Sequence, residues 1–169
     1  TGKNWGIGCN LIHMLDLFSF LLDQLGDSLV NLKVENITEV FDSKREGYKE
    51  FHGCVIATSA SGRTMLCESM PGDFDRKISL HAETQVMSWD DKFLHISNAE
   101  EGLKSYDSPE IYQSEFAREW LHLITRGEAP PLSKLSTVSD LTRDMLIAFE
   151  PVFYNDIDNP DLKRIIPIT

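Results

Sequence analysis

Apolar residues dominate positions 11–22 and recur almost all round the helix that this stretch predicts. We expect a helix from about Leu11 to Leu25, with Asn10 as its N-cap and Gly26 as a left-handed C-terminal cap. A helix with so few polar positions is buried on most of its circumference. Its polar residues recur at spacings of three or four, which predicts one polar stripe made of His13, Asp16, Ser19 and Asp23.

Positions 29–105 have the alternating pattern of β-strands, interrupted by pairs of turn-forming residues. The alternation is clearest in Arg76–Trp89, where Ile78, Leu80 and Val86 are predicted to share one face. Consecutive strands with short connections predict an antiparallel meander. The predicted strands are Asn31–Asp42, Glu50–Ser59, Arg63–Met70, Arg76–Trp89 and Lys92–Ser97.

Two amphipathic helices follow the strands. The first is predicted to begin at Ser108-Pro109-Glu110 and to end at Gly127; the second begins at Thr137 and is disturbed by Pro151. The apolar face of the second helix carries Leu141, Met145 and Phe149. This order of elements predicts an α+β fold, a mostly antiparallel open sheet with helices packed on one face, in a single domain of residues 1–169.

Composition and charge narrow the classes of partner. The chain has 169 residues, 41% of them hydrophobic, and a net charge of −11. The acidic charge opposes binding to nucleic acid or to an anionic membrane surface, and no apolar run reaches the ~20 residues of a membrane helix. We therefore expect small molecules or other proteins as partners.

The cysteines and the first residue bear on the cellular setting. Cys9, Cys54 and Cys67 lack metal-type spacing, and an odd number cannot pair completely within one chain. Reduced thiols in the cytoplasm are the simplest interpretation, and no secretory leader is evident. Because the chain begins with Thr1 rather than Met, we expect that a longer natural chain has been cut.

His13 is the leading candidate for catalysis. It lies in the first turn of the predicted helix, after a segment with Gly6 and Gly8 that allows a ligand close to the backbone. Free N–H groups there attract polar or anionic atoms, and the helix dipole keeps an imidazole neutral, as a general base requires. The alternative is a buried histidine that bonds a backbone carbonyl.

Three neighbours of His13 are candidates for substrate binding. Asp16 would orient His13 or bind a hydroxyl, but a first-turn acid that complements the helix dipole is an equally simple role. Asn10 would contact substrate, although capping alone explains it. Cys9 is a candidate contact in the same segment, and a redox or nucleophilic role is disfavoured because no base or second cysteine is evident.

Other patterns carry less weight. His52, His81 and His95 fall on different predicted strands, so a metal site would need the sheet to bring them together, and solvated positions on the sheet are the simpler interpretation. His122 is expected on the exposed side of its helix. Neither the Gly-Lys pair near the start nor Gly6-x-Gly8 makes a phosphate loop, and no dinucleotide-binding βαβ unit is visible.

The segment Trp5–Leu22 resembles the opening of the C-terminal domain in the Gfo/Idh/MocA oxidoreductase family. In that family, glycines lead into an Asp-x-x-x-His-x-x-Asp pattern and then a hydrophobic helix. The later order is also similar: a sheet region, an acidic turn, a helix with Phe116 and Trp120, a Gly127-Glu-Ala-Pro-Pro loop and a last helix. The resemblance spans most of the chain, and its one sharp motif lies around His13.

The resemblance implies an enzyme of two domains. An N-terminal Rossmann domain, absent from this chain, would bind NAD or NADP and supply a catalytic lysine. The C-terminal domain would form the pocket for a sugar or nucleotide-sugar and, through its open sheet, a homo-oligomer interface. His13 matches the family histidine that moves the hydroxyl proton, and Asp16 matches the acid three residues later. The isolated chain is then expected to be inactive.

One position departs from the family pattern. The family aspartate that stands four residues before the histidine falls on Cys9, with Asn10 beside it. A thiol cannot replace a carboxylate in polarising a hydroxyl, so either Asn10 takes the orienting role or the chemistry differs. A non-catalytic ligand-binding or oligomerisation module of the same fold is therefore the second hypothesis. A metal-dependent hydrolase that uses the strand histidines is a third.

Overall fold

The computed structural model describes residues 6–8, 10–72, 77–90, 92–107, 113–129 and 135–154, with side chains from residues 117 and 136 onward in the last two ranges. The fold is α+β, as the sequence predicted, and every strand pairing is antiparallel within these residues. The helices are α1 (Leu11–Gln24), α2 (Gln113–Thr125) and α3 (Leu135–Tyr154), and the strands are β1 (Leu29–Asp42), β2 (Lys49–Ser59), β3 (Thr64–Ser69), β4 (Ile78–His81), β5 (Gln85–Trp89), β6 (Phe93–Asn98) and β7 (Gly102–Asp107).

The strands form two sheets where the sequence pattern predicted one continuous meander. One sheet has the order β1-β2-β3 and the other the order β4-β5-β6-β7. The chain correspondingly divides into two compact units. We call α1, β1–β3 and α3 the helix–sheet unit, and β4–β7 with α2 the meander unit. That the two units act as one domain stays a prediction.

The helix–sheet unit contains a closely packed core. Phe51 of β2 and Phe149 of α3 are fully buried, and their rings meet edge to face with centroids 5.0 Å apart. The two helices contribute apolar residues at helical spacing, and β2 contributes every second residue, so one face of the sheet is covered by helices. Buried residues that form this core are Ile7, Leu11, Leu15, Phe51, Val55, Ala57, Cys67, Met145 and Phe149.

Helix α1 agrees closely with its prediction. It ends at Gln24, and Gly26 follows with φ of 65°. The Asp27 N–H donates to the Leu22 carbonyl and the Gly26 N–H to the Asp23 carbonyl, which is the hydrogen-bond pattern of a glycine-terminated helix. The predicted polar stripe needs one correction: Ser19 is buried with the core leucines rather than exposed with His13.

Asp27, just after this cap, ties the end of α1 to the β2–β3 hairpin. Its carboxylate accepts hydrogen bonds from the Ser61 hydroxyl at 2.5 Å, the Arg63 guanidinium at 2.9 Å and the Ser28 N–H at 2.9 Å. The side chain is only 5% exposed. Hydrogen bonding by the hydroxyls of Ser61 and then Ser59, followed by the Ser28 N–H and Arg63, holds the pKa of Asp27 well below its usual range.

The meander unit differs from its prediction at one strand. The predicted strand Arg76–Trp89 is in fact two strands, because the chain reverses after Ala82, whose N–H donates to the Gln85 carbonyl. Val86 pairs with His81 and therefore lies on the face opposite Ile78. A tight reversal without glycine or proline leaves the apolar alternation intact in sequence, which is why the pattern looked continuous. Strand β7 was also missed.

The later helices confirm most of their predicted features. Gly127 has φ of 73° and ends α2 with the same pattern as Gly26. Leu141 and Met145 are buried as predicted, whereas α3 continues through Pro151 to Tyr154. The predicted start at Ser108-Pro109-Glu110 lies outside the described residues. Within the described part of the chain, none of the helices has the length and apolar character to cross a membrane.

Candidate functional site

The segment before α1, residues 6–8, is attached to strand β2, and we call it the glycine segment. The Ile7 N–H donates to the Phe51 carbonyl at 3.0 Å, and the Ile7 side chain is fully buried. The Ile7 carbonyl accepts the N–H groups of Asn10 at 3.2 Å and Leu11 at 3.0 Å. One residue therefore connects the central strand to the first turn of the helix that carries His13.

His13 occupies the third position of α1, in the first turn as predicted, and its side chain is exposed. The alternative of a buried histidine bonded to a backbone carbonyl is therefore wrong. The expectation of free N–H groups in this turn needs correction, since Leu11 donates to Ile7 and the His13 N–H donates to the Asn10 carbonyl at 3.2 Å. The imidazole is thus open to a ligand, while these two backbone donors are already bonded.

Asp16 lies one turn further along the same side of the helix. The residue is partly buried, and its Oδ1 atom is buried with no hydrogen-bond partner among the described residues. A buried carboxylate oxygen costs free energy unless it is bonded, so a hydroxyl donor at this position would be favourable. An exposed imidazole and a partly buried carboxylate therefore lie within one turn of helix.

Asn10 does not cap the helix through its side chain. Its backbone lies in the helical region, with φ of −100° and ψ of −19°, and it makes no capping hydrogen bond. The side-chain amide instead donates to the Gly6 carbonyl at 3.2 Å, which braces the glycine segment. Cys9 lies outside the described residues, so its role stays a prediction.

A second polar cluster, which sequence reasoning missed, lies on β2. His52 was expected to be solvated but is only 5% exposed, with Nδ1 2.9 Å from the Ser69 hydroxyl and its ring stacked on Phe41 at 4.6 Å. Glu50, two residues earlier, is 2% exposed. Alternating polar residues on a strand predict a solvated face, and nothing in the local sequence signals that neighbouring segments cover this one.

Glu50 lies directly against the glycine segment. A methyl group added at Gly6 would stand 2.7 Å from the Glu50 Cβ and would overlap the carboxylate as well. Gly6 is therefore required by close approach of its backbone to the Glu50 side chain. The buried acid and the segment that precedes His13 form one contiguous structure.

The remaining histidines do not assemble a metal site. His81 and His122 are exposed, both as predicted. His95 is partly buried, with Nδ1 2.8 Å from the Ser105 hydroxyl and Nε2 3.9 Å from the Asp90 carboxylate. In the ranges that the structure describes, no three histidine, cysteine or acidic residues are grouped to hold a metal ion.

Cys54 and Cys67 are free thiols with little nucleophilic character. Burial, with nearby Cys54 and Glu68, raises the pKa of Cys67 to about 11, and burial also raises the pKa of Cys54. The two lie on opposite faces of the sheet, because Cys67 pairs with Val55 and Cys54 pairs with Glu68. These thiols are therefore poor candidates for covalent chemistry.

Comparison of the chain with protein-family models, with curated proteins and with solved structures gave no match.

Proposed function

We propose that the full-length protein is an NAD(P)-dependent oxidoreductase that transfers a hydride between nicotinamide and a hydroxyl or ketone of a sugar or nucleotide-sugar. In this proposal, the chain forms the substrate side of the enzyme in the cytoplasm. The observation that carries it is the exposed His13 imidazole one helical turn from Asp16, whose Oδ1 has no hydrogen-bond partner among the described residues. Resemblance to the Gfo/Idh/MocA family around these residues supports the same assignment.

Each residue has a separate role in the proposal. His13 acts as the general base and accepts the proton of the substrate hydroxyl. Asp16 accepts a hydrogen bond from a second hydroxyl and so orients the substrate. Asn10 holds the glycine segment through its bond to Gly6, and Cys9 is a further substrate contact.

The described residues do not form a dinucleotide site of the Rossmann type. Their strand pairings are all antiparallel, whereas a dinucleotide site of the Rossmann type needs a parallel βαβ unit. We therefore assign NAD or NADP binding to a domain outside this chain and expect the chain alone to be inactive.

Self-association is the second part of the proposal. Strand register places six large apolar residues on one face of the meander unit, and none of them is fully buried. A homo-oligomer that covers this face would remove that surface from water. The six residues are Ile78, Leu80, Met87, Trp89, Leu94 and Ile96.

The competing function is a non-catalytic ligand-binding or oligomerisation module. Two observations favour it: a thiol stands at Cys9 where the family pattern has an acid, and the backbone donors of Leu11 and His13 are already bonded. Such a module would keep the apolar face and lack turnover.

The test is nicotinamide absorbance during incubation of the full-length protein with a panel of sugars and nucleotide-sugars. We expect His13→Ala to lower kcat by about 10²–10⁴ while cofactor affinity is unchanged, since a general base contributes a factor of that order. His122→Ala, which alters an exposed histidine on α2, is the matched control and should retain full activity. A folded wild type that binds NAD(H) or NADP(H) yet oxidises no sugar would favour the non-catalytic module.

A further inference from the structure

Glu50 is a buried acid that lies against the segment leading into α1. It is 2% exposed at the start of a strand, whereas the adjacent Lys49 is exposed and pairs with Asp42 at 2.5 Å. The side chain of Glu50 is therefore enclosed by neighbouring residues, and the segment before α1 is one of these neighbours.

The glycine segment packs on Glu50 and its neighbour on β2. Gly6 lies over the length of its side chain, from Cβ to the carboxylate, so closely that no larger residue fits. The next residue, Ile7, bonds Phe51, the strand neighbour of Glu50, at 3.0 Å. The glycine segment is thus held on β2 at two consecutive positions, one by packing and one by a backbone hydrogen bond.

Movement of this segment would be transmitted directly to α1. The Ile7 carbonyl accepts the Asn10 and Leu11 N–H groups, and the Gly6 carbonyl accepts the Asn10 side-chain amide. His13 in turn donates its N–H to the Asn10 carbonyl. Every described backbone bond that starts the helix is therefore anchored within a few residues of the Glu50 contact.

We propose that Glu50 is a positioning residue: its side chain is the platform on which Gly6 rests, and through Gly6 and Ile7 it sets the placement of Asn10 and His13. The platform acts through shape and burial. A side chain of the same shape should replace it, and a short one should not. The catalytic consequence rests on the proposed function of His13, whereas the structural consequence does not.

The structural test is amide hydrogen exchange in the full-length protein. Glu50→Ala should accelerate exchange at Ile7, Asn10 and Leu11 by about tenfold or more, because the support under Gly6 is lost, while amides in the middle of α3 keep their rates. Glu50→Gln, which keeps the shape of the side chain, should leave these exchange rates within about threefold of those in the wild type. Glu68→Gln, at an exposed position on β3, is the matched control.

Gly6→Ala changes the other partner in the contact between Gly6 and Glu50. Its methyl group would overlap Glu50, so it should accelerate exchange at the same amides. In the double variant with Glu50→Ala, the carboxylate overlap is removed, and the combined effect should be smaller than the product of the two single effects. Independent, multiplicative effects, or wild-type exchange in Glu50→Ala, would overturn the proposal.

The catalytic test separates this inference from the proposed function. With an active wild type, Glu50→Ala should lower kcat by roughly tenfold with little change in KM, and Glu50→Gln should restore it, as expected for a displaced base rather than a lost binding group. Unchanged kcat despite faster exchange would overturn the positioning role. A wild type without turnover on any sugar would contradict the proposed function alone, since the exchange result stands by itself.

Discussion

The helix–sheet unit and the meander unit both contain an amphipathic antiparallel sheet, but among the described residues only the first has a buried core. In the helix–sheet unit, Phe51 on β2 is fully buried and meets Phe149 of α3. In the meander unit, none of the described residues is fully buried, and Phe93 is 41% exposed. The same strand chemistry therefore gives a buried core in one unit and a partly exposed apolar face in the described part of the other.

This difference shows what an amphipathic sheet requires. A sheet buries one face only when another layer covers it, and α1 and α3 supply that layer for β1–β3. The meander unit places Leu80, Met87 and Trp89 on one face, where each is only partly buried. An apolar sheet face of this kind is typical of a surface that associates with another layer.

The largest contrast should appear when one phenylalanine is truncated in each unit. Phe51→Ala should lower the free energy of unfolding of the helix–sheet unit by about 3–5 kcal/mol, because it empties the centre of a packed core. Phe93→Ala, the matched change in the meander unit, should cost roughly 1 kcal/mol or less, since the residue is already 41% exposed and its removal leaves no enclosed cavity. Urea unfolding with a probe in each unit measures both. Equal losses would contradict the comparison.

A charge on the apolar face of the meander unit should weaken the proposed self-association. If a second copy covers that face, Leu80→Lys should raise the dissociation constant of the oligomer by about tenfold or more, because a charge would be buried at the interface. Ser79→Lys changes the adjacent residue, which lies on the opposite face of the same strand, and should leave the mass in light scattering unchanged. A protein that is monomeric at high concentration would count against the proposed self-association.

The smallest contrast concerns acid stability. The pKa of Asp27 in the folded helix–sheet unit lies below its unfolded value of about 3.9, so its contribution is complete above that pH and is lost as the pH falls. Asp27→Asn should therefore lower the urea midpoint at neutral pH, and the difference from wild type should shrink in acid.

Asp90 provides the counterpart in the meander unit. Backbone N–H groups of Lys92 and Phe93 lower the pKa of its carboxyl, but the side chain is 42% exposed. Because solvent screens such a group, Asp90→Asn should have a smaller and flatter effect than Asp27→Asn. An Asp27→Asn variant whose deficit is the same at every pH would contradict the role assigned to its charge.

Parts of the candidate site could be predicted locally and parts could not. A glycine segment followed by an apolar helix was enough to place His13 in a first helical turn. Its exposure, the Asn10 bond to Gly6 and the burial of Glu50 and His52 depend on how the glycine segment and β3 lie against β2. Local sequence patterns do not predict contacts between residues that are distant in the chain.

The sequence by itself determined the features that arise within a few residues. Gly26 and Gly127 end their helices because glycine adopts a positive φ at little cost, and the spacing of Leu141, Met145 and Phe149 defines the buried face of α3. The tertiary structure decided where the strands divide into two sheets and which alternating face is covered. The physical reason is that burial of a strand face depends on the segment that packs against it. A polar face is solvated when nothing covers it and enclosed when another segment does, and that segment is distant in the chain.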